Sequence, residues 1–207
     1  MEPDIRKTID FYNDQADIFE EKTRNLQKPA WMERFASLLP PHGKLLDLGC
    51  AYGRDAKTYH DMGFEVVGVD GSEVMIEKAK KLVPECEFSV GDIRMLELVS
   101  ESFDGIWASA IFVHVPKKDM PALMERLYRA LKSGGKLYAA VYVGDGEGME
   151  ADERYAGAAK YYTYFSTEEF QKLLTDAGFS LVDFVPRNKS GYERHDILEL
   201  IAEKKML

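Results

Sequence analysis

The chain has 207 residues, 45% of them hydrophobic, which suits one globular domain with a sizeable core. Its 36 acidic and 27 basic side chains leave a formal net charge of −9, which disfavours a broad nucleic-acid footprint while leaving room for a local basic groove. The two cysteines have no CxxC spacing, so neither a disulfide framework nor a metal site is expected, and no apolar run is long enough to span a bilayer.

The opening stretch, MEPDIRKTIDFYNDQ, lacks an apolar core of signal-peptide length, so a cytoplasmic protein with reduced thiols and no membrane attachment is expected. Ile5, Ile9, Tyr12, Ala16 and Phe19 recur at four- and three-residue intervals and predict one apolar helical face. Two readings of this helical segment, residues 1–42, stay open: a helix packed on the domain, or a lid over a ligand.

From residue 44 onward, apolar runs alternate with helical stretches. LLDL (45–48) leads to a helix near 54–62 that stops at Gly63. FEVVGVD (64–70) leads to Ser72, an N-cap, and a helix near 73–82. CEFSV (86–90) and FDGIWASA (103–110) are the next strands. DMPALMERLYRALKSGG (119–135) carries apolar residues at helical spacing, with Gly134 and Gly135 as the stop, and KLYAAVYV (136–143) is a strand. The segment 144–165 is an insertion with five acids between 145 and 153, then Arg154 and a tyrosine-rich cluster. STEEFQKLLTDAG (166–178) opens with the capping-box pair Ser166 and Glu169. FSLVDFV (179–185) and HDILELIAE (195–203) are strands joined too closely for a parallel crossover, hence antiparallel neighbours. These alternations predict an α/β, doubly wound, mostly parallel seven-stranded sheet with an antiparallel edge and helices on both faces. In such sheets ligands sit at the carboxyl ends of the strands.

The first strand runs into a glycine turn, LLDLGCAYGRDA (45–56). Against the dinucleotide fingerprint GxGxxG, aligned on Gly49, the second position is Ala51 and the third Arg54, so two of three positions fail. The spacing that fits is acidic-x-Gly-x-small-x-Gly: Asp47, Gly49, Ala51, Gly53. Asp70 closes the second strand, GDI (91–93) closes the third, FDGIWASAIFVHV (103–115) spans the fourth, and KSGGKLYAAVY (132–142) turns into the fifth. This ordered set resembles the class I S-adenosylmethionine-dependent methyltransferases, over most of residues 43–205.

The resemblance implies a Rossmann-like domain that binds S-adenosylmethionine and releases S-adenosylhomocysteine. It places Asp47, Gly49, Cys50, Ala51, Gly53 and Arg54 at the turn under the donor, with Arg54 facing either Asp55 or the donor's carboxylate. Asp70 would hold the ribose hydroxyls, beside Gly71 and Met75; Asp92 and Ile93 would meet the adenine, and Ser109 would edge the methionine part. Each acid also has a plain structural reading: Asp47 as a turn cap, Asp70 as a solvated strand end, Asp92 as a turn former. Cys50 reads equally as a small packed residue.

Methyl transfer is an in-line displacement, so the protein must orient the acceptor and exclude water. Two catalytic candidates follow. His114 lies after the fourth strand, as a general base or as a loop-fixing residue before Pro116, and Tyr12 lies on the N-terminal stripe as a cover for the donor. The insertion 144–165 is read as an aromatic lid over the acceptor pocket, against a mobile solvated loop. Arg154 faces either an acceptor carboxylate or a neighbouring acid. The sum is a methyltransferase acting on a small molecule, neutral, cationic or a monoacid docked on Arg154, bound between Tyr12, His114 and residues 154–165. The competing readings are an RNA- or protein-directed methyltransferase, an NAD(P)-dependent oxidoreductase, and a donor-binding module without catalysis.

Overall fold

The protein is described by a computed structural model covering residues 3–26, 29–187 and 194–205. Three helices precede the sheet: α1 (Pro3–Asp14), α2 (Ala16–Thr23) and α3 (Pro29–Ala36). Then come β1 (Lys44–Leu48), α4 (Arg54–Asp61), β2 (Glu65–Asp70), α5 (Glu73–Leu82), β3 (Glu87–Val90) and β4 (Phe103–Ser109). The second half holds α6 (Met120–Ala130), β5 (Leu131–Val143), β6 (Glu147–Asp152), β7 (Ala158–Phe165), α7 (Thr167–Asp176), β8 (Phe179–Arg187) and β9 (Ile197–Lys204). The polar joint between the last two strands falls partly on residues 188–193, outside the described residues.

The seven strands expected from the sequence form the order β3-β2-β1-β4-β5-β9-β8, parallel as far as β5, with β9 antiparallel to both β5 and β8. Two further strands come from the insertion. β6 and β7 pair as an antiparallel hairpin, and β7 joins the sheet only at the tip of β5, through Tyr142–Tyr164 and Val143–Phe165. The insertion 144–165, for which no strands are expected from sequence, is therefore mostly a β-hairpin. Its run of aromatic and β-branched residues, YYTYF, suits a strand, and four of those five positions are buried.

Successive strand residues point to opposite faces and build two cores. Leu46, Leu48, Ile106, Ala108, Leu137 and Ala139 pack with Leu123, Met124 and Leu127 of α6 and with Phe170 and Leu174 of α7. Leu45, Val66, Trp107, Tyr138 and Ala140 pack with Met32 and Phe35 of α3 and with Ala56, Tyr59, Ile76 and Ala79 of α4 and α5. In the second core the Trp107 ring stacks on Tyr138 at 3.7 Å, a geometry that adds about 0.5–1.5 kcal/mol beyond area burial. Gly68 leaves room for this layer, because a Cβ there would lie 2.4 Å from Phe88 Cδ1 and 2.9 Å from Cys50 Sγ.

Three local expectations change. The N-terminal stripe is split between α1 and α2 at Gln15, yet its residues stay on one side, and α3 is an additional helix. α6 ends at Ala130, and Leu131, which fits the helical spacing, opens β5 opposite Phe103. Ser166 caps α7 by accepting from Glu169 N at 3.1 Å, but the Glu169 carboxylate turns to Lys117 Nζ at 2.7 Å rather than closing the capping box. Ser72 caps α5 as expected, accepting from Met75 N at 3.1 Å. Among the described residues no helix is long and apolar enough to cross a membrane.

Candidate active site

The carboxyl ends of β1 to β5 open into one cavity of about 630 Å³. Its floor at one end is the glycine turn after β1. Ala51 stands there in the left-handed region (φ 46°), a conformation that costs a non-glycine residue roughly 1–2 kcal/mol. The turn is held by Asp70, whose Oδ2 accepts from Ala51 N at 2.9 Å and whose Oδ1 accepts from Ser72 N at 2.8 Å. Burial nevertheless pushes the Asp70 carboxyl above its usual range, against the pull of the Ser72, Ala51 and Gly71 amides. A carboxylate offers about four acceptor positions, so this half-buried acid on the cavity wall can take two more donors. Asp92 also lines the cavity. Burial raises its carboxyl, but the Arg94 guanidinium, bound through Nη2 at 2.6 Å and Nε at 3.0 Å, outweighs that and holds it below its usual range.

The roof is the N-terminal segment. Ile9 sits over Gly71, where a Cβ would lie 3.0 Å from Ile9 Cδ1. Asn13 Oδ1 accepts from Ser72 Oγ at 2.7 Å, and Lys78 pairs with Asp17 at 2.6 Å and Glu20 at 2.8 Å. Arg54 ties the roof to the turn, donating to Asp55 Oδ1 at 2.6 Å and to the Thr23 carbonyl at 3.0 Å. Asp55 in turn accepts from Trp107 Nε1 at 2.9 Å.

At the other end α1 meets the hairpin, with Tyr161 N donating to Thr8 Oγ1 at 2.9 Å. His114 is fixed from both sides. Its Nδ1–H donates to the Tyr161 carbonyl at 2.6 Å, which leaves Nε2 to accept the Tyr12 hydroxyl at 2.9 Å. Burial, then the charge of Lys160, pushes the imidazole down to about 3, so it is neutral at physiological pH. Beside it Lys160 Nζ lies 3.1 Å from Asp152 Oδ2, and burial draws its ammonium down to about 8 although Asp152 opposes this. Asp152 also accepts from Arg154 Nη2 at 2.7 Å and from the Tyr162 hydroxyl at 2.9 Å. Burial acts to raise its carboxyl, and Arg154 and Lys160 override this and hold it well below its usual range.

Of the residues singled out from the sequence, the fold brings Tyr12, His114, Gly49, Ala51, Arg54, Asp70, Gly71, Asp92, Ile93 and Ser109 to the cavity wall. Four lie behind it. Asp47 is buried in β1 with Oδ2 unpartnered, its carboxyl raised by burial and by Asp55, so it underpins the turn. Cys50 packs in the core layer beside Phe88, its thiol raised by burial; Gly53 forms the start of α4, and Met75 is buried against Ala16 and Tyr52. Arg54 is committed to Asp55, and Arg154 to Asp152. Lys160 and Glu199, both buried in the cavity wall, are absent from the sequence reading. A period of two across Lys160, Tyr162 and Tyr164 would have revealed the first.

A doubly wound sheet, a glycine turn after its first strand and acids at the tips of the second and third define the nucleoside-binding α/β class. Residues 45–135 match a family model described as a methyltransferase domain. The chain is similar to phosphoethanolamine N-methyltransferase 3 of Arabidopsis thaliana, 32% identical over 149 residues that cover 70% of this chain and 30% of that protein. It is also similar to 27-O-demethylrifamycin SV methyltransferase of Amycolatopsis mediterranei, 30% identical over 81% of this chain and 64% of the other. In fold it matches the Burkholderia thailandensis 1,6-didemethyltoxoflavin-N1-methyltransferase, solved with its 1,6-didemethyltoxoflavin and S-adenosylhomocysteine, at TM-score 0.75 and 20% identity over 97% of this chain and 88% of that one. The chain carries a methyltransferase domain of the class I S-adenosylmethionine-dependent family. It spans about a third of the length of several curated relatives that it matches, from 30% to 35%.

Proposed function

We propose that the protein transfers a methyl group from S-adenosylmethionine to a small-molecule acceptor. One observation carries this reading: a single cavity joins the Asp70 end to the Tyr12–His114 pair. The donor fits the first end on the chemistry of its wall. Asp70 keeps acceptor capacity beyond its two backbone amides, Asp92 and Ile93 stand beside it, and Gly49 and Gly71 leave the backbone open to approach. When bound, the donor supplies a methyl on a sulfonium, already activated for displacement.

The chain's own residues do the rest. Ile9, Phe19 and Ile111 cover the site and exclude water, so the attacking lone pair is not solvated away. Tyr12 and His114 stand where donor and acceptor ends meet. Because the Tyr12 hydroxyl donates to His114 Nε2, its oxygen is polarised and accepts a hydrogen bond from the acceptor's O–H or N–H. As the acceptor atom gains the methyl it becomes far more acidic, so its hydrogen bond to Tyr12 Oη strengthens and disperses the developing charge, while His114, held neutral, orients the Tyr12 hydroxyl; the proton is lost to solvent when the site opens. The α1–α2 segment and the hairpin then act as two lids, because the enclosed site must open for exchange.

The acceptors named for the relatives, phosphoethanolamine and 27-O-demethylrifamycin SV, are small molecules, which favours this class over RNA or protein. The net charge of −9 adds repulsion against a nucleic acid. The test is calorimetry with S-adenosylhomocysteine and with NAD, followed by labelled donor against a metabolite library. Binding of NAD and of neither sulfur nucleoside would overturn the reading, as would methylation of bulk tRNA with none of any metabolite.

A further inference from the structure

The acceptor end of the cavity holds an imbalance of charge. Lys160 lines it with its side chain only 3% exposed, and Arg154 lines it at 19%. Arg194, at 26%, approaches the same place: its Nη1 is 4.0 Å from Asp152 Oδ2, is buried, and makes no hydrogen bond among the described residues. Among the described residues one buried carboxylate, Asp152, is paired with all three cations; Glu150 meets Arg194 at 3.8 Å from a side chain 37% exposed, and Glu199, the other buried acid of the cavity wall, accepts from the Tyr138 hydroxyl at 2.7 Å and pairs with none of the three. His114, the neighbouring titratable group, is neutral and adds no compensating charge. Burying cations in excess of their counter-ions is costly unless something supplies the missing negative charge.

Lys160 sharpens the point. Among the described residues its ammonium touches Asp152 Oδ2 and otherwise the faces of rings: Phe11 at 4.4 Å, Tyr155 at 4.8 Å, Tyr12 at 5.2 Å and Tyr162 at 5.5 Å. Ring faces steady a cation but accept no conventional hydrogen bond, and an ammonium has three donors. At least one N–H is left for an oxygen that the described residues do not provide, at the wall of the cavity and next to the Tyr12–His114 pair.

We propose that the methyl acceptor carries an oxyanion, a carboxylate or a phosphate monoester, held by Lys160 with Arg154 and Arg194 while Asp152 serves as the resident counter-ion. This rests on the methyl-transfer reading for its role; of the expected neutral, cationic or monoacid acceptors it favours the anionic one, and it moves the main anchor from Arg154 to Lys160. Arg154, fixed by two bonds to Asp152, presents a planar edge, and Lys160 a point charge. The small molecule would be anchored by its charged end, with its reacting atom toward Tyr12.

The experiment uses phenyl phosphate, benzoate and benzyl alcohol as probes, titrated by calorimetry at constant ionic strength into protein saturated with S-adenosylhomocysteine. At least one anion should bind ten or more times tighter than the neutral alcohol, and the better of the two identifies the oxyanion. Lys160→Gln should remove most of that preference while S-adenosylhomocysteine affinity stays unchanged, and Lys160→Arg should restore it. Asp152→Asn, which keeps the shape and removes the resident charge, should tighten the anion severalfold, whereas a merely structural ion pair would make it weaker. Equal binding of anions and alcohol, or a Lys160→Gln protein with an undiminished preference, would overturn the proposal. If Lys160→Gln fails to fold, Arg194→Gln at the half-buried rim gives the same reading. If S-adenosylhomocysteine itself does not bind, the methyl-transfer reading fails, and the anion preference is still decided by the same probes on the free protein.

Discussion

Replacing Asp70 by alanine tests the donor end most directly. The carboxylate accepts one backbone amide on each oxygen, at 2.9 Å from Ala51 and 2.8 Å from Ser72, and retains acceptor positions facing the cavity. Two ribose hydroxyls bound there would form charge-assisted bonds of about 1.5–3 kcal/mol each. Against that sum stand water entering the truncated site and the burial that already raises the Asp70 carboxyl. The net expectation is a loss of about 2–4 kcal/mol in binding S-adenosylhomocysteine, which is about 30- to 700-fold in Kd. Asp70→Asn keeps the shape and one acceptor oxygen, so it should fall between the two. Isothermal titration reads the affinities. Circular dichroism should show a folded protein with Tm lowered by several degrees, because the Ala51 and Ser72 amides lose their partner. A folded Asp70→Ala protein with unchanged affinity would mean that Asp70 merely closes β2.

Four other expectations follow from the geometry. His114 is pushed down to about 3, below its unfolded value near 6.5, so its neutral form persists through physiological pH and stability falls by a few kcal/mol as pH drops from 6.5 toward 3; a kcat/KM profile with an inflection near 6.5 that His114→Gln abolishes would contradict this. Tyr12→Phe should lower kcat at least tenfold with little change in S-adenosylhomocysteine affinity, and a pure loss of donor affinity would reassign Tyr12 to the roof. Gly68→Ala should destabilise by about 1–3 kcal/mol, read by urea midpoint, because its methyl would collide with Phe88 and Cys50. Hydrogen exchange over residues 5–24 and 144–165 should slow when S-adenosylhomocysteine binds, and identical exchange in both states would remove the two lids.

The sheet was legible because its strands are short apolar runs, each ended by a turn former or an acid, with capped amphipathic helices between them. Asp70 and Asp92 could be placed on the cavity wall from that alternation alone, since strand ends converge in this architecture. Asp47 could not, because periodicity places it in β1 without saying that its carboxyl faces the start of α4 rather than the ligand. The hairpin was hidden by five acids near its first strand, a composition that reads as loop until cross-strand pairing supplies the missing hydrogen bonds. Gln15 breaks the N-terminal helix without glycine or proline to announce it. Lys160 escaped notice because burial of a lysine depends on tertiary partners, here four rings and one carboxylate drawn from α1, the hairpin and the turn between its strands.

The cavity is assembled from two unequal inheritances. Its donor wall comes from one continuous run of chain, from Gly49 to Ile111, while its acceptor wall is gathered from α1, the β6–β7 hairpin and the β5 and β9 strands. Among the described residues the hairpin's backbone pairs with the sheet only through the last two residues of β5, and the hairpin is otherwise held by side-chain contacts. On the proposed reading, substitutions along Tyr155, Lys160 and Tyr162 would therefore alter the acceptor end without disturbing the register of β1, β2 or β4. A library randomised at those three positions should yield many variants that still retain the nucleoside. That makes the hairpin a natural handle for retargeting this scaffold.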